Sequence, residues 1–250
     1  MALAPRSPYE LTAGSALDDL HPVVRKYVTA VPAGQRGYGH GVFEVVGSPR
    51  RWLRPLLKVL AAQNIAFPVW EKNVPFTVVN APLIDRDGRT AVLAVRRFHL
   101  ASGPATMIDA ITAERADADG LVDHLGTHRL LRARLSARVV RGELHLQSTA
   151  FELRLGSRVI EIPALVAPQV TVVDRYDDTA DGGQGAQRVT VRVDAPVIGR
   201  LYEYTGTFHY ELRPEANGEV TDSTEGPDAR GTIETGVDGT RPTLADGSHA

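Results

Sequence analysis

Residues Pro196 to Leu212, PVIGRLYEYTGTFHYEL, alternate strictly in character. At period two, Tyr202, Tyr204, Phe208 and Tyr210 share one face, with Gly206 between them and Leu212 beyond. Leu201, Glu203, Thr205, Thr207 and His209 take the other face. Alternation over this length implies a long β-strand with two chemically distinct faces. Such an aromatic face suits the core of a β-barrel. It equally suits a pocket wall that is apolar along its length and hydrogen-bonding at its phenol tips.

The rest of the chain reads in the same terms. Ser7 stands as an N-cap before Pro8, and Leu11, Ala16, Leu17 and Leu20 give a short apolar helical face that stops at His21-Pro22. Gly37, Gly39 and Gly41 read as a flexible entry to a strand over Val42 to Val46. A dinucleotide fingerprint would follow a strand, and this run precedes one. Ser48-Pro49-Arg50 opens an amphipathic helix whose Trp52, Leu53, Leu56, Leu57 and Leu60 are expected to pack on a sheet. From Val74 onward the pattern is β. Phe76 to Val79 and Thr90 to Leu100 form a hairpin around Asp87-Gly88, and the short segments Met107 to Ile111 and Leu121 to Leu125 follow. Leu131, Ala133, Leu135, Ala137 and Val139 then alternate against Arg132, Arg134, Ser136 and Arg138. After the Arg141-Gly142 turn, Leu144, Leu146, Ser148 and Ala150 keep one phase, and at Phe151 the apolar phase flips. Such a flip is the mark of a β-bulge that curves a sheet toward closure. Gln169 to Tyr176 and Gln187 to Asp194 flank a further hairpin loop. Many antiparallel strands and few helices predict a mainly β fold: an antiparallel β-barrel or strongly curved sheet with a few flanking helices.

Composition narrows the chemistry. The 250 residues carry a net charge of -2, which gives no global signal for nucleic acid or an anionic membrane. There is no cysteine, so disulfides, zinc-thiolate sites, iron–sulfur clusters and thiol nucleophiles are excluded. No long apolar run follows Arg6, so no signal peptide is expected and a cytoplasmic setting is the default. Residues 214–250 hold eight acidic residues against two arginines and no aromatic. They read as a disordered acidic tail behind a single barrel domain over 1–213. P-loop and hydrolase-elbow motifs are missing. His124 and His128 have the spacing of a two-histidine metal site, but Gly126 argues against a helix there, and no metal or cofactor is expected. Arg96 and Phe98 share a face with Ala94 and Leu100, opposite Arg97 and His99. An inward arginine in a barrel needs a carboxylate or an anionic ligand oxygen. Glu44, Asp109, Asp123 and Glu203 are the carboxylates within structured segments, and any of them can serve.

Several stretches resemble the bacterial family of unknown function DUF4166. These are the opening SPYELTAGSALDDLHPVVRKYV with its His21-Pro22, the strand Gly39-His40-Gly41-Val42-Phe43, and Arg96-Arg97-Phe98 against a WxRxF motif. Leu121 to Gly126 resembles LxERFG, Pro163 to Pro168 a P-x4-P turn, and Pro196 to Gly206 a closing PxxGxxxxYxG. The resemblance spans about residues 7–213. The chain departs from it at Ala94, in place of the tryptophan of WxRxF, and at Asp123 and Leu125, in place of a glutamate and a phenylalanine. Losing a large aromatic there would enlarge a pocket. The resemblance implies a sheet-rich, lipocalin-like ligand shell, and some small cofactor-free β-barrels of this general kind are cyclases in natural-product pathways.

The expected function is therefore a cofactor-independent cyclase shaping a hydrophobic, polyketide-like substrate inside the barrel. Tyr204, Arg96 and Asp123 are its expected catalytic groups, with Arg96 as carbonyl clamp and Asp123 as its partner or a weak base. Tyr202, Phe208, Tyr210 and Phe98 are its expected pocket walls. The partner is a hydrophobic small molecule, with neither nucleic acid nor membrane. Two alternatives use the same sequence: a non-catalytic carrier of a lipid or apolar metabolite, and an accessory subunit docking on an oxidoreductase through an exposed apolar patch in place of a cavity.

Overall fold

The computed structural model describes residues 6–85, 87–113, 120–156 and 158–215. Eleven antiparallel strands run in the order β6-β5-β4-β3-β2-β1-β11-β10-β9-β7-β8, and pairing of β6 with β7 closes the first ten into a barrel. The strands are β1 (Gln35–Gly47), β2 (Trp70–Ile84), β3 (Thr90–Leu100), β4 (Gly103–Ala113), β5 (Leu121–Leu125) and β6 (Leu131–Val140). They continue as β7 (Glu143–Leu155), β8 (Arg158–Glu161), β9 (Gln169–Asp177), β10 (Ala186–Ala195) and β11 (Gly199–Pro214). β8 is an extra strand on the outer flank of β7. The barrel expected from the alternation is thus present and closed. β11 ends at Pro214, and Glu215 donates its backbone N–H to Gly34 and pairs with Arg36, so the barrel reaches just past the expected boundary at 213. The rest of the expected acidic tail, 216–250, lies outside the described residues.

Three bulges bend the sheet. In β7, Thr149 is the extra residue, since Arg134 faces Ala150 while Leu135 faces Ser148. This is where the apolar phase flips in the sequence. In β1 the extra residue is Glu44. In β11 it is Leu201, which slips between the Asp194–Arg200 and Val193–Tyr202 pairs. That bulge overturns one expectation: Leu201 lines the interior beside Tyr202 and does not share the outer face of Glu203. The glycines before Val42 are a second correction. They are not an entry loop but part of β1. A Cβ on Gly41 would meet the Thr207 carbonyl oxygen at 2.0 Å, and one on Gly206 would meet that of Val42 at 2.2 Å. Glycine lets the β1 and β11 backbones approach this closely.

Helices occupy both ends of the barrel. α1 (Pro8–Ala13) starts in a full capping box, with Ser7 accepting from the Glu10 N–H and the Glu10 carboxylate accepting from the Ser7 N–H. A 3₁₀ turn (Gly14–Asp19) leads to α2 (Pro22–Val28), whose Val24 and Val28 are buried. α3 (Arg54–Ala62), preceded by a 3₁₀ turn (Arg51–Leu53), lies at the end where β1 finishes and β2 begins. Its Leu53, Leu57 and Leu60 pack inward as expected, whereas Trp52, Leu56 and Val59 remain exposed. Both sets recur at helical spacing, and one helix cannot turn two stripes to the same sheet.

Two buried clusters fill the barrel. One is aromatic and gathers Phe43, Phe76, Phe98, Tyr202, Phe208 and Tyr210 from β1, β2, β3 and β11. The other is aliphatic and gathers Leu121, Leu135, Leu144 and Leu146 with Val24 and Val28 from the N-terminal helices. On the outside, His40, Thr77, Arg97 and His209 lie on adjoining strands in register. No helix among the described residues is long and apolar enough to cross a membrane.

Candidate functional site

Between the two clusters lies a cavity of about 520 Å³, large enough for a small organic ligand. Its wall is mostly aliphatic and aromatic, with Tyr202, Tyr204 and Phe208 on β11, Leu57 and Leu60 on α3, and Leu135 and Leu146 opposite. The aromatic face of β11 therefore looks inward, while His209 is exposed and pairs with Asp181. Phe98 and Tyr210 were expected on the wall and stand behind it instead. Phe98 is fully buried, stacked on Phe43 and edge-on to Phe67. The Tyr210 ring meets Tyr27 edge-on, and its hydroxyl accepts from the Asn80 amide at 3.4 Å.

A polar cluster interrupts this apolar wall. Arg96 on β3 forms a short, largely buried ion pair with Asp109 on the neighbouring β4. Asp123 on β5 lines the same cavity, as do Tyr9 of α1, Tyr27 of α2 and Tyr204 of β11. The strand phase explains the gathering. Asp109 pairs with Leu125, and Asp123 with Ile111, so the two carboxyls are diagonal neighbours on the inner face. Three of the expected catalytic groups, Arg96, Asp123 and Tyr204, thus share one cavity.

The electrostatics distinguish the two carboxyls. Burial opposes the charge on Arg96, but Asp109 beside it, with Tyr27 and Tyr204 close by, holds the guanidinium charged. One cation balances one anion. Asp123 is therefore pushed well above the usual carboxylate range, first by burial and then by the Asp109 charge, with Arg96 opposing. Its Oδ1 is buried without a hydrogen-bond partner. The expectation gave Asp123 two roles, partner of Arg96 or weak base. Asp109 takes the pairing, and a carboxyl that burial pushes toward its neutral form suits an acid better than a base. Burial likewise pushes the Tyr204 hydroxyl up, so it stays a neutral donor.

Sequence reading did not single out Tyr9, Tyr27 or Asp174. Asp174 on β9 also lines the cavity. Burial pushes its carboxyl up to about 7, against the Gln187 amide that donates to it at 2.8 Å. The signal was there: Val170, Val172 and Asp174 stand at period two, which puts the carboxyl on the inner face. Tyr9 and Tyr27 left no such signal, since they reach the site only through docking of the N-terminal helices. Ala94 is buried in the aromatic cluster and paired across from Asp109. Among the described residues, no group of three or more His, Asp or Glu side chains is placed to hold a metal ion. His124 Nε2 lies 3.1 Å from the Thr112 hydroxyl, and His128 Nδ1 lies 2.8 Å from the Gln63 side-chain oxygen.

The fold and site define a closed antiparallel β-barrel whose apolar chamber holds a compact acid–guanidinium–phenol cluster. Within that class, the chain belongs to the family described as Domain of unknown function (DUF4166), whose family model matches residues 20–208. It is also similar to the uncharacterized protein YndH of Bacillus subtilis (strain 168). The two are 23% identical over 195 residues, covering 78% of this chain and 92% of the relative. No solved structure matches.

Proposed function

We propose that the barrel is the reaction chamber of a cofactor-independent cyclase for a hydrophobic, polyketide-like substrate, working in the cytoplasm. The observation that supports this most is the geometry: a second buried carboxyl, Asp123, held toward its neutral form by burial beside the Arg96–Asp109 pair in an otherwise apolar cavity. Burying an ion pair and a further carboxyl costs stability that leucines in the same places would not. A chamber that only stores apolar molecules gains nothing from that cost.

The chemistry follows from the groups present. The chamber holds a flexible chain folded on itself, which removes entropy from the barrier to ring closure. Arg96 and the Tyr204 hydroxyl hydrogen-bond to a substrate carbonyl and stabilise the negative charge that develops on its oxygen. Asp109 takes a proton from the carbon next to a second carbonyl, that carbon bonds to the first carbonyl carbon, and Asp123 gives its proton to the new alkoxide. The proton on Asp109 then passes to Asp123 and restores the start.

Incubation with a linear poly-β-ketone thioester, followed by mass spectrometry of the products, tests the reading. Ring closure faster than in buffer, lost in Asp123→Asn, is expected. Tight binding of apolar ligands with no turnover by the intact protein would leave the carrier reading in its place. One observation favours that carrier: Arg96 is already charge-balanced by Asp109, so the cavity suits neutral guests. The accessory-subunit reading rests on an exposed apolar patch and leaves the polar cluster inside the cavity without a role.

A further inference from the structure

The two ends of the barrel differ in surface chemistry. At the α3 end, Trp52, Leu56 and Val59 are 60%, 54% and 62% exposed. Leu165 and Val166, in the segment between β8 and β9, and Ile198, in the β10–β11 turn, are exposed at the same end. Arg50 ties these parts together, its guanidinium donating to the Ile198 carbonyl at 2.9 Å. Between Gly47 and Trp70 the chain carries Arg50, Arg51, Arg54 and Lys58 and no acidic residue. The carboxylates nearby are occupied: Asp194 and Glu203 pair with Arg200, and Glu71 accepts from the Ala101 N–H. Glu161, exposed on β8, is the exception. The opposite end is mixed in charge: Asp85 and Asp87 in the β2–β3 turn pair with Arg89, and Asp177 at the end of β9 pairs with Arg175 and Arg188.

We propose that the α3 end docks on the surface of an anionic lipid bilayer. Trp52, Leu56 and Val59 follow one another at i, i+4 and i+7 and form one stripe, flanked by Arg51, Arg54 and Lys58. An exposed apolar stripe with a tryptophan and a basic border is the chemistry that seats a helix in the headgroup layer. Each cation near the surface adds attraction to anionic headgroups, and the exposed apolar stripe lies at the same end, so the barrel stands with its α3 end down. This departs from the sequence expectation of no membrane partner, which rested on overall charge and on a helix too short and lightly charged to prefer a membrane over packing on the sheet; the structure shows that only one of its two apolar stripes packs there. Leu56 is exposed and also lines the cavity, as do Ile162 and Pro168 of the neighbouring segment. Docking therefore places the lid of the chamber against the lipid. That an apolar substrate enters by this route rests on the proposed function; the docking itself does not.

Sedimentation with vesicles tests it on the full chain, with phosphatidylcholine alone and with phosphatidylcholine mixed with phosphatidylglycerol. Binding to the mixed vesicles about tenfold or more above the neutral ones, weakened by salt, is expected. The Arg51→Glu, Arg54→Glu, Lys58→Glu triple variant should lose that binding while keeping its Tm and circular dichroism. With Trp70→Phe, Trp52 is the remaining tryptophan, and its emission should shift to the blue on mixed vesicles alone. Asp123→Asn should bind vesicles like the parent, so failure of the chemistry and failure of docking separate. Equal or no binding to the two vesicle types, or a folded triple variant that still binds, overturns the proposal.

Discussion

The aromatic and aliphatic halves of the barrel bury side chains in different ways. On β1, β2, β3 and β11 the rings stack on one another: Phe43 lies 3.8 Å from Phe76 and 5.3 Å from Phe98 between ring centroids. On β5, β6 and β7 the inward apolar residues are mostly Leu and Ala with a single ring, Phe151, joined by Val24 and Val28 from α2. Large planar rings fill space among themselves, while shorter branched chains facing them leave a gap. The gap is the chamber, and Arg96, Asp109 and Asp123 sit on β3, β4 and β5, along the seam between the halves. A barrel thus obtains a cavity by packing one side tightly and the other with less bulk.

The largest effect that tests this contrast is Phe98→Ala. It should cost about 4 kcal/mol in urea unfolding, because Phe98 packs against four other rings and does not line the cavity. Asp109→Asn should follow at about 3 kcal/mol, since it leaves the buried Arg96 guanidinium without its counter-ion. Leu135→Ala, on the cavity wall, should cost about 2 kcal/mol, at the low end for leucine, because its environment is already incompletely filled. If Leu135→Ala matched Phe98→Ala, the two halves would be equally packed and the contrast would fail.

The pH dependence sharpens the seam. Asp174 holds its proton up to about 7 in the fold, whereas an unfolded aspartate loses it near pH 3.9. Between those values the native state binds the extra proton, so stability falls as pH rises from about 4 to about 7 and levels above. Asp123, raised in the same direction, adds to that fall. Asp174→Asn should remove part of the slope, read as Tm against pH, and leave stability at pH 4 nearly unchanged. A Tm that climbed over this interval in the parent, and kept climbing in the variant, would show the carboxyl to be ionised in the fold. The smallest expected change is Tyr204→Phe, which deletes one hydroxyl, leaves Tm within a degree or two and slows ring closure in the assay above.

The strand pattern was legible because period-two alternation is local. It placed β11 and its inward aromatics, and the flip at Phe151 marked the bulge at Thr149. Leu201 shows the limit: a bulge within an otherwise regular run changes a side chain's face without changing the residues around it. Arg96, Asp123 and Tyr204 were legible as inward polar groups on strands. Which carboxylate paired with Arg96 was not, since Asp109 and Asp123 stand on adjacent strands with the same phase. Register decided it, and register is set by pairing. Tyr9 and Tyr27 precede Arg96 by two whole strands and α3 in sequence, and nothing local to an N-terminal helix says which phenol will reach a barrel interior.

The β1–β11 seam has a consequence for biosynthesis. It pairs Gln35 with Pro214, so the first strand made waits for the last. Until then β1 and β10 each present an open edge, and the greasy inner surface is uncovered. Such a distant pairing makes closure late and slow. A chain cut short by even the final strand would therefore be a sticky half-pipe, prone to recruit other strands and aggregate, long before it could hold a guest.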